Sequence, residues 1–148
     1  FTRDAIPCIY GEDEEFEIGK AKCLKEGKDL TIMANGDTVS IALEAAKKLE
    51  EEGIHAQVYD FHTIKPLDVD AVNKAIEENG KIITVEDHNI INGLGSAVCE
   101  IVAEAGKGKV HRIGVQDQFG ESAPYEELLK KNGITSENIV KCAKDMID

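Results

Sequence analysis

Apolar positions along the chain follow two rhythms that take turns. Short runs at Leu30–Ala34, Ala56–Phe61, Lys81–Val85 and Val110–Val115, each bounded by turn residues, predict strands. Between them apolar residues recur at three- and four-residue spacing. The stripes are Val39, Ala42, Leu43, Ala46 and Leu49; then Val69, Val72 and Ile76; then Leu94, Val98, Ile101, Val102 and Ala105. Each predicts a helix with that stripe turned inward, ended by Gly53, by Gly80, and by Gly106 with Gly108. Two more helices close the chain. One covers Tyr125 to Lys131 and stops at Asn132-Gly133; the other is capped by Thr135, with Ile139, Val140, Ala143 and Ile147 on one face. Asp68 is placed to cap the second helix while Leu67 staples onto Val72, and Asp37 or Thr38 to cap the first. Ahead of this regular part, Phe16, Ile18, Ala21 and Cys23 alternate around a turn at Gly19-Lys20 and predict one or two short edge strands. Strands alternating with helices of these lengths imply a mostly parallel sheet covered on both faces and joined by right-handed crossovers.

Composition narrows the partners. A chain of 148 residues is one ordinary domain, long enough to bury about two thirds of the surface its unfolded form exposes. Its 29 acidic against 17 basic residues give a formal net charge of -12, which repels nucleic-acid phosphates and anionic lipid. Cys8, Cys23, Cys99 and Cys142 have neither C-x-x-C spacing nor a His-Cys ligand pattern, and Cys99 and Cys142 sit in helical stripes as small buried residues do. Together with the lack of a membrane-spanning apolar run or a signal-peptide core, this reads as a reduced, cytoplasmic chain. It opens on Phe1 rather than methionine and reads as a section of a larger protein.

Candidate chemistry gathers where strands end. The run Ile82–Val85 breaks into Glu86-Asp87-His88-Asn89, and Gly93-Leu94-Gly95-Ser96 then opens a helix. Such glycines let backbone N–H groups approach a phosphate, or they serve a tight turn and close helix-to-sheet packing. Packing is favoured, because Val98 stands at the third glycine position and Glu86 and Asp87 oppose a diphosphate. His62 and His88 follow two different strands, so they are expected to meet Asp60, Glu86 and Asp87 on one edge of the sheet. Acid–base work, a divalent metal and structural or interfacial hydrogen bonding all suit that mixture, the last best. Without ligand spacing, a Ser-His-Asp set or a Walker loop, no catalytic residue and no metal site is assigned. His55 and His111 read as surface residues at strand ends. Phe119, in the loop Asp117–Ser122, has no helical or strand face to join and reads as either a plug under its loop or a contact with another chain, the contact being favoured.

Several of these blocks also carry a resemblance. Ile18-Gly19-Lys20, Asp29–Gly36 and Asp60-Phe61-His62-Thr63-Ile64-Lys65-Pro66-Leu67-Asp68 resemble the carboxy-terminal domain shared by transketolases, deoxyxylulose-phosphate synthases and 2-oxo acid dehydrogenase E1 β subunits. Glu86–Val98 and Phe119-Gly120-Glu121-Ser122, with Glu126-Glu127-Leu128-Leu129, look most like the carboxy-terminal section of split-type transketolases, in which two polypeptides make the enzyme. Deoxyxylulose-phosphate synthase fits less well at the His88 and Phe119 blocks.

The resemblance implies a three-layer α/β/α, Rossmann-like sandwich whose five-stranded sheet has one antiparallel edge strand. It implies residues 16–148 as that domain, and residues 1–15 as the tail of a preceding pyrimidine-binding domain with a linker. In the complete enzyme it implies two-carbon ketol transfer between sugar phosphates, with thiamine diphosphate and a divalent cation held by other domains and none in this chain. The domain itself then serves dimer assembly and is inactive alone. Thr2–Pro7 resembles the end of the pyrimidine-binding domain, where an arginine contacts substrate phosphate; the match puts Arg3 there, and a planar guanidinium suits the task. Two alternatives stand beside this reading. One is a module holding a small regulatory nucleotide or sugar phosphate around His62, His88 and Ser96; the other is the equivalent domain of an E1 β subunit or a deoxyxylulose-phosphate synthase.

Overall fold

The buried β-branched runs pair side by side in a computed structural model that describes residues 7–148. Arg3 and the Thr2–Pro7 match fall almost wholly outside the described residues. The strands are β1 (Lys22–Lys25), β2 (Leu30–Ala34), β3 (Ala56–Asp60), β4 (Lys81–Asn89) and β5 (Lys109–Val115), in the spatial order β1-β3-β2-β4-β5. β1 pairs antiparallel with β3 as an edge strand, and the remaining pairings are parallel. The helices are α1 (Thr38–Glu51), α2 (Val69–Glu78), α3 (Leu94–Ala105), α4 (Tyr125–Lys131) and α5 (Ser136–Ile147).

Alternate residues of each strand feed opposite faces of the sheet. Ile32, Ala34, Val58, Ile83, Val85 and Ile113 pack with Val39, Ala42, Ala46 and Leu49 of α1 and Ile139 and Ala143 of α5. Met33, Tyr59 and Ile82 turn the other way, onto Val72 and Ile76 of α2 and Leu94, Val98 and Val102 of α3. Two helical layers thus cover the sheet. Polar side chains buried within it are paired near its amino-terminal edge. Thr31 Oγ1 donates to Gln57 Oε1 at 3.1 Å, and Gln57 Nε2 reaches Glu26 at 3.1 Å.

Several sequence expectations need correction. Phe16 and Ile18 lie outside β1, and only one short strand forms there, because Lys20 N–H closes a turn onto Glu17 and the pairing with β3 begins at Lys22. β4 runs through the polar quartet to Asn89 instead of ending at Val85. Asn89 opposes Val115 across an irregularity in register, and Ile90 N–H bonds Val115 O at 3.0 Å. Val69 is 47% exposed rather than inward, whereas Asp68 caps α2 as expected, accepting from Ala71 N–H at 3.1 Å. His111 sits within β5 rather than at its end, and Cys99 is half-buried.

Candidate functional site

The carboxyl ends of β2, β3 and β4 face one edge of the molecule. There the strand order changes direction: the chain passes from β2 outward to β3, then returns to the far side of β2 for β4. In open α/β sheets this crevice, between β2 and β4, is where ligands settle. Here the chain's own side chains close it. Thr38, fully buried at the start of α1, directs its hydroxyl at both Asn35 O and Val85 O, 2.8 Å from each. Neither Thr38 nor Asp37 caps α1 through its side chain, contrary to the sequence expectation. Asp37 instead accepts a hydrogen bond from the Tyr125 hydroxyl at the start of α4.

The glycine-rich opening of α3 is closed in the same way. Glu86, 1% exposed, turns its carboxylate onto the helix N-terminus and accepts from Leu94 N–H and Gly95 N–H, both at 2.8 Å. Those are the donors, at the positive end of the helix dipole, that a phosphate would need. The glycines make room for this chain and not for a ligand. A Cβ on Gly93 would lie 1.9 Å from Glu86 Oε2, and one on Gly95 would lie 2.7 Å from Thr84 Oγ1. Thiamine diphosphate therefore does not fit these residues: the donors its diphosphate needs are taken by a buried carboxylate.

The expected convergence of His62 with His88 does not occur, because β2 lies between their strands. His88 stays with β4, its Nδ1 3.8 Å from Glu86 Oε2 and 2.6 Å from Asn89 O. Ser96 is spent inside the loop before α3, donating to Ile90 O at 3.0 Å and accepting from Asn92 N–H at 2.9 Å. Asp87 faces Asp37 and Tyr125. Burial, then the Asp37 charge, holds its carboxyl above the usual range, partly offset by hydrogen bonding from Tyr125. The Tyr125 phenol is in turn pushed up by burial and by its bond to Asp37. Among the described residues no group of three His, Cys, Asp or Glu side chains is placed to hold a metal.

His62 and Asp60 form a separate group with two aromatic residues, Tyr10, which the hydrophobic pattern does not single out, and Phe16, which the pattern places in an edge strand. Tyr10 donates to Asp60 Oδ2 at 2.5 Å, and Phe16 stands edge-on between the Tyr10 and His62 rings, 4.8 and 5.1 Å from their centroids. Tyr10, Asp60 and His62 border a cavity of about 520 Å³, with Pro7, Ile9 and Asp37 in its wall. Phe119 lies apart, 98% exposed on the loop after β5. Tyr10 and Tyr125 leave no mark in the apolar periodicity; the Ile9-Tyr10 pair ahead of the acidic linker is the nearest to a signal.

Fold and site together define a doubly wound α/β domain whose usual ligand crevice is filled by its own Thr38 and Glu86. Residues 19–139 match the family model for the transketolase C-terminal domain, and the chain belongs to that family. It is 47% identical over 136 residues to a protein of Methanocaldococcus jannaschii named as a transketolase C-terminal section, an alignment covering 90% of this chain and 42% of the relative. Against an apulose-4-phosphate transketolase subunit of Phocaeicola vulgatus it is 42% identical, with 98% of this chain and 46% of the relative covered. A solved split-gene transketolase, described as an inactive beta4 tetramer, superposes with a TM-score of 0.93 at 42% identity, over 98% of this chain and 48% of that one. The chain thus spans under half the length of these relatives.

Proposed function

We propose that this chain is the carboxy-terminal domain of a split-type, thiamine-diphosphate-dependent transketolase, and that its task is assembly. The complete enzyme transfers a two-carbon ketol unit between sugar phosphates, in the cytoplasm, as a dimer built with the subunit that holds the cofactor. The observation that carries the reading is Glu86 on the N-terminus of α3. A domain that fills its own anion site has no place for the cofactor's diphosphate, which accords with a family role in supporting domains that do. The names of the relatives, a carboxy-terminal section and a transketolase subunit, support the partnership. Residues up to 15 are assigned to the end of the preceding domain and its linker, and residues 16–148 to the assembly domain. Arg3 is assigned the substrate phosphate, and Phe119 the neighbouring chain, since a fully exposed phenylalanine gains from being covered.

The test is reconstitution. The chain alone, given thiamine diphosphate, magnesium and xylulose and ribose phosphates, is expected to give no turnover and no rise in melting temperature. The same chain, extended to a full-length subunit and mixed with its cofactor-binding partner, is expected to be active. Turnover by the verified pure domain, or a saturable thermal shift with thiamine diphosphate, overturns the reading.

A further inference from the structure

Among the described residues six large apolar side chains are exposed: Ile9, Phe16, Ile18, Val69, Ile91 and Phe119. Single exposed apolar residues are ordinary on a protein surface, but these six are gathered at one end of it. The first three precede β1, whose start pairs with Asp60 at the carboxyl end of β3. The others lie on the path from the carboxyl end of β3, β4 or β5 into the helix that follows. The turns at the opposite, amino end of the sheet hold Ile54 and Ile134, and both are packed against the core under α1 and α5.

Charge divides the same way. Residues 11–21, 35–37, 60–70, 86–93 and 116–124 form the carboxyl-end rim and hold thirteen Asp or Glu against Lys20 and Lys65. The rest of the chain is nearly balanced, sixteen acidic against fifteen basic, so almost all of the net charge of -12 sits on this rim. Lys22 and Lys131, beside it, are already paired with two of its acids, Glu14 and Glu121. The rim's segments are also tied to one another. Lys20 pairs with Asp70 at 3.2 Å, Phe16 stands edge-on 5.1 Å from the His62 ring, and Asn89 donates to Asp117 at 3.1 Å. A partner meets a surface that is already ordered, which lowers the cost of docking.

We propose that this rim docks on a different polypeptide whose facing surface is basic around an apolar centre, and not on the same rim of a second copy. Burial of the apolar side chains drives the association, and the acids select the sign of the partner. Two copies meeting rim to rim bring like charges together, and a nucleotide or sugar phosphate meets the same repulsion. Naming the partner as the cofactor-binding subunit rests on the assembly function proposed above; the rim, its charge and its apolar residues do not.

The test is association of the full-length subunit with its cofactor-binding partner, read by isothermal titration calorimetry and separately from turnover. Affinity is expected to fall about tenfold or more between about 50 and 500 mM NaCl, because salt screens charges paired across a surface. I18S/I91S and E15K/E17K are each expected to weaken binding about tenfold, with Tm within about 2 °C of the parent. E51K/E104K, the same change of charge at the amino end, is expected to alter affinity less than about twofold. Rim variants that bind like the parent, or equal effects from the two charge-reversed pairs, overturn the proposal and leave the assembly function standing. Failure of the parent subunit to associate overturns both. Self-association of the chain that strengthens with salt and is lost in I18S/I91S identifies rim-to-rim pairing of copies, and also overturns the proposal.

Discussion

Glu86 and Gly95 are nine residues apart and belong to different elements, yet the carboxylate of one accepts the backbone N–H of the other at 2.8 Å in a fully buried setting. The same carboxylate holds Leu94, so one side chain does for α3 what a cap and an anion would otherwise share. Removing it leaves two buried donors unpaired. E86A is expected to lose about 3 kcal/mol, a drop in Tm of roughly 6–12 °C, and E86Q, which keeps one acceptor, about half as much. Thermal and urea denaturation check both. A loss for E86A within about 0.5 kcal/mol, the range of ordinary surface changes, would refute the role given to this contact.

Gly93 has an extended backbone that any residue adopts, so space and not conformation demands glycine there. G93A is expected to cost about 3 kcal/mol by driving Glu86 off the helix end. If that is the mechanism, the cost is shared: the double variant E86A/G93A is expected to be little worse than E86A alone. Additive losses would show that Gly93 matters for some other contact.

Tyr125 stands between Asp37 and Asp87, and its loss has a pH signature. Asp87 has a raised pKa in the folded protein, so its burden on the fold is full above the folded-state value and is relieved as pH falls from there to the unfolded one. Y125F removes the hydrogen bond that holds this pKa down. The variant is therefore expected to lose more stability at pH 7 than at pH 4, measured by denaturant unfolding at both. An equal loss at the two pH values contradicts the coupling.

Phe119 makes the opposite prediction from Glu86. At 98% exposure its truncation removes almost no packing, so F119A is expected to leave Tm unchanged within about 2 °C. Sedimentation of the full subunit with its partner is expected to show association weakened tenfold or more. Unchanged association, or a large loss of Tm, excludes Phe119 as an interface residue.

The hydrophobic rhythm made the strands after the edge, and all five helices, legible because buried strands of an α/β sheet and amphipathic helices leave distinct periods. Asp68 and Thr135 were legible as caps for the same local reason: each bonds an N–H three residues on. The polar continuation of β4 was not, since Glu86 is buried through a contact eight and nine residues away that no period encodes. His62 and His88 looked like one site because both follow strands; only the spatial order, with β2 between them, separates the two. Gly93 and Gly95 were legible as necessary glycines, and the favoured packing reading was right about what they accommodate. The Asp60 cavity escaped because half its wall, Pro7 to Tyr10, lies in an irregular segment about fifty residues from the strand it meets.

The two outer strands set a limit on how copies of this domain, or its partners, meet. β1 carries Lys22 and Lys25 around a shift in register, and β5 carries Lys109, His111 and Arg112. Charge and irregularity on a sheet's rim discourage another strand from adding to it. Loops and helix faces are left as the surfaces on which specificity is written residue by residue, in place of a shared backbone ladder that accepts almost any extended chain.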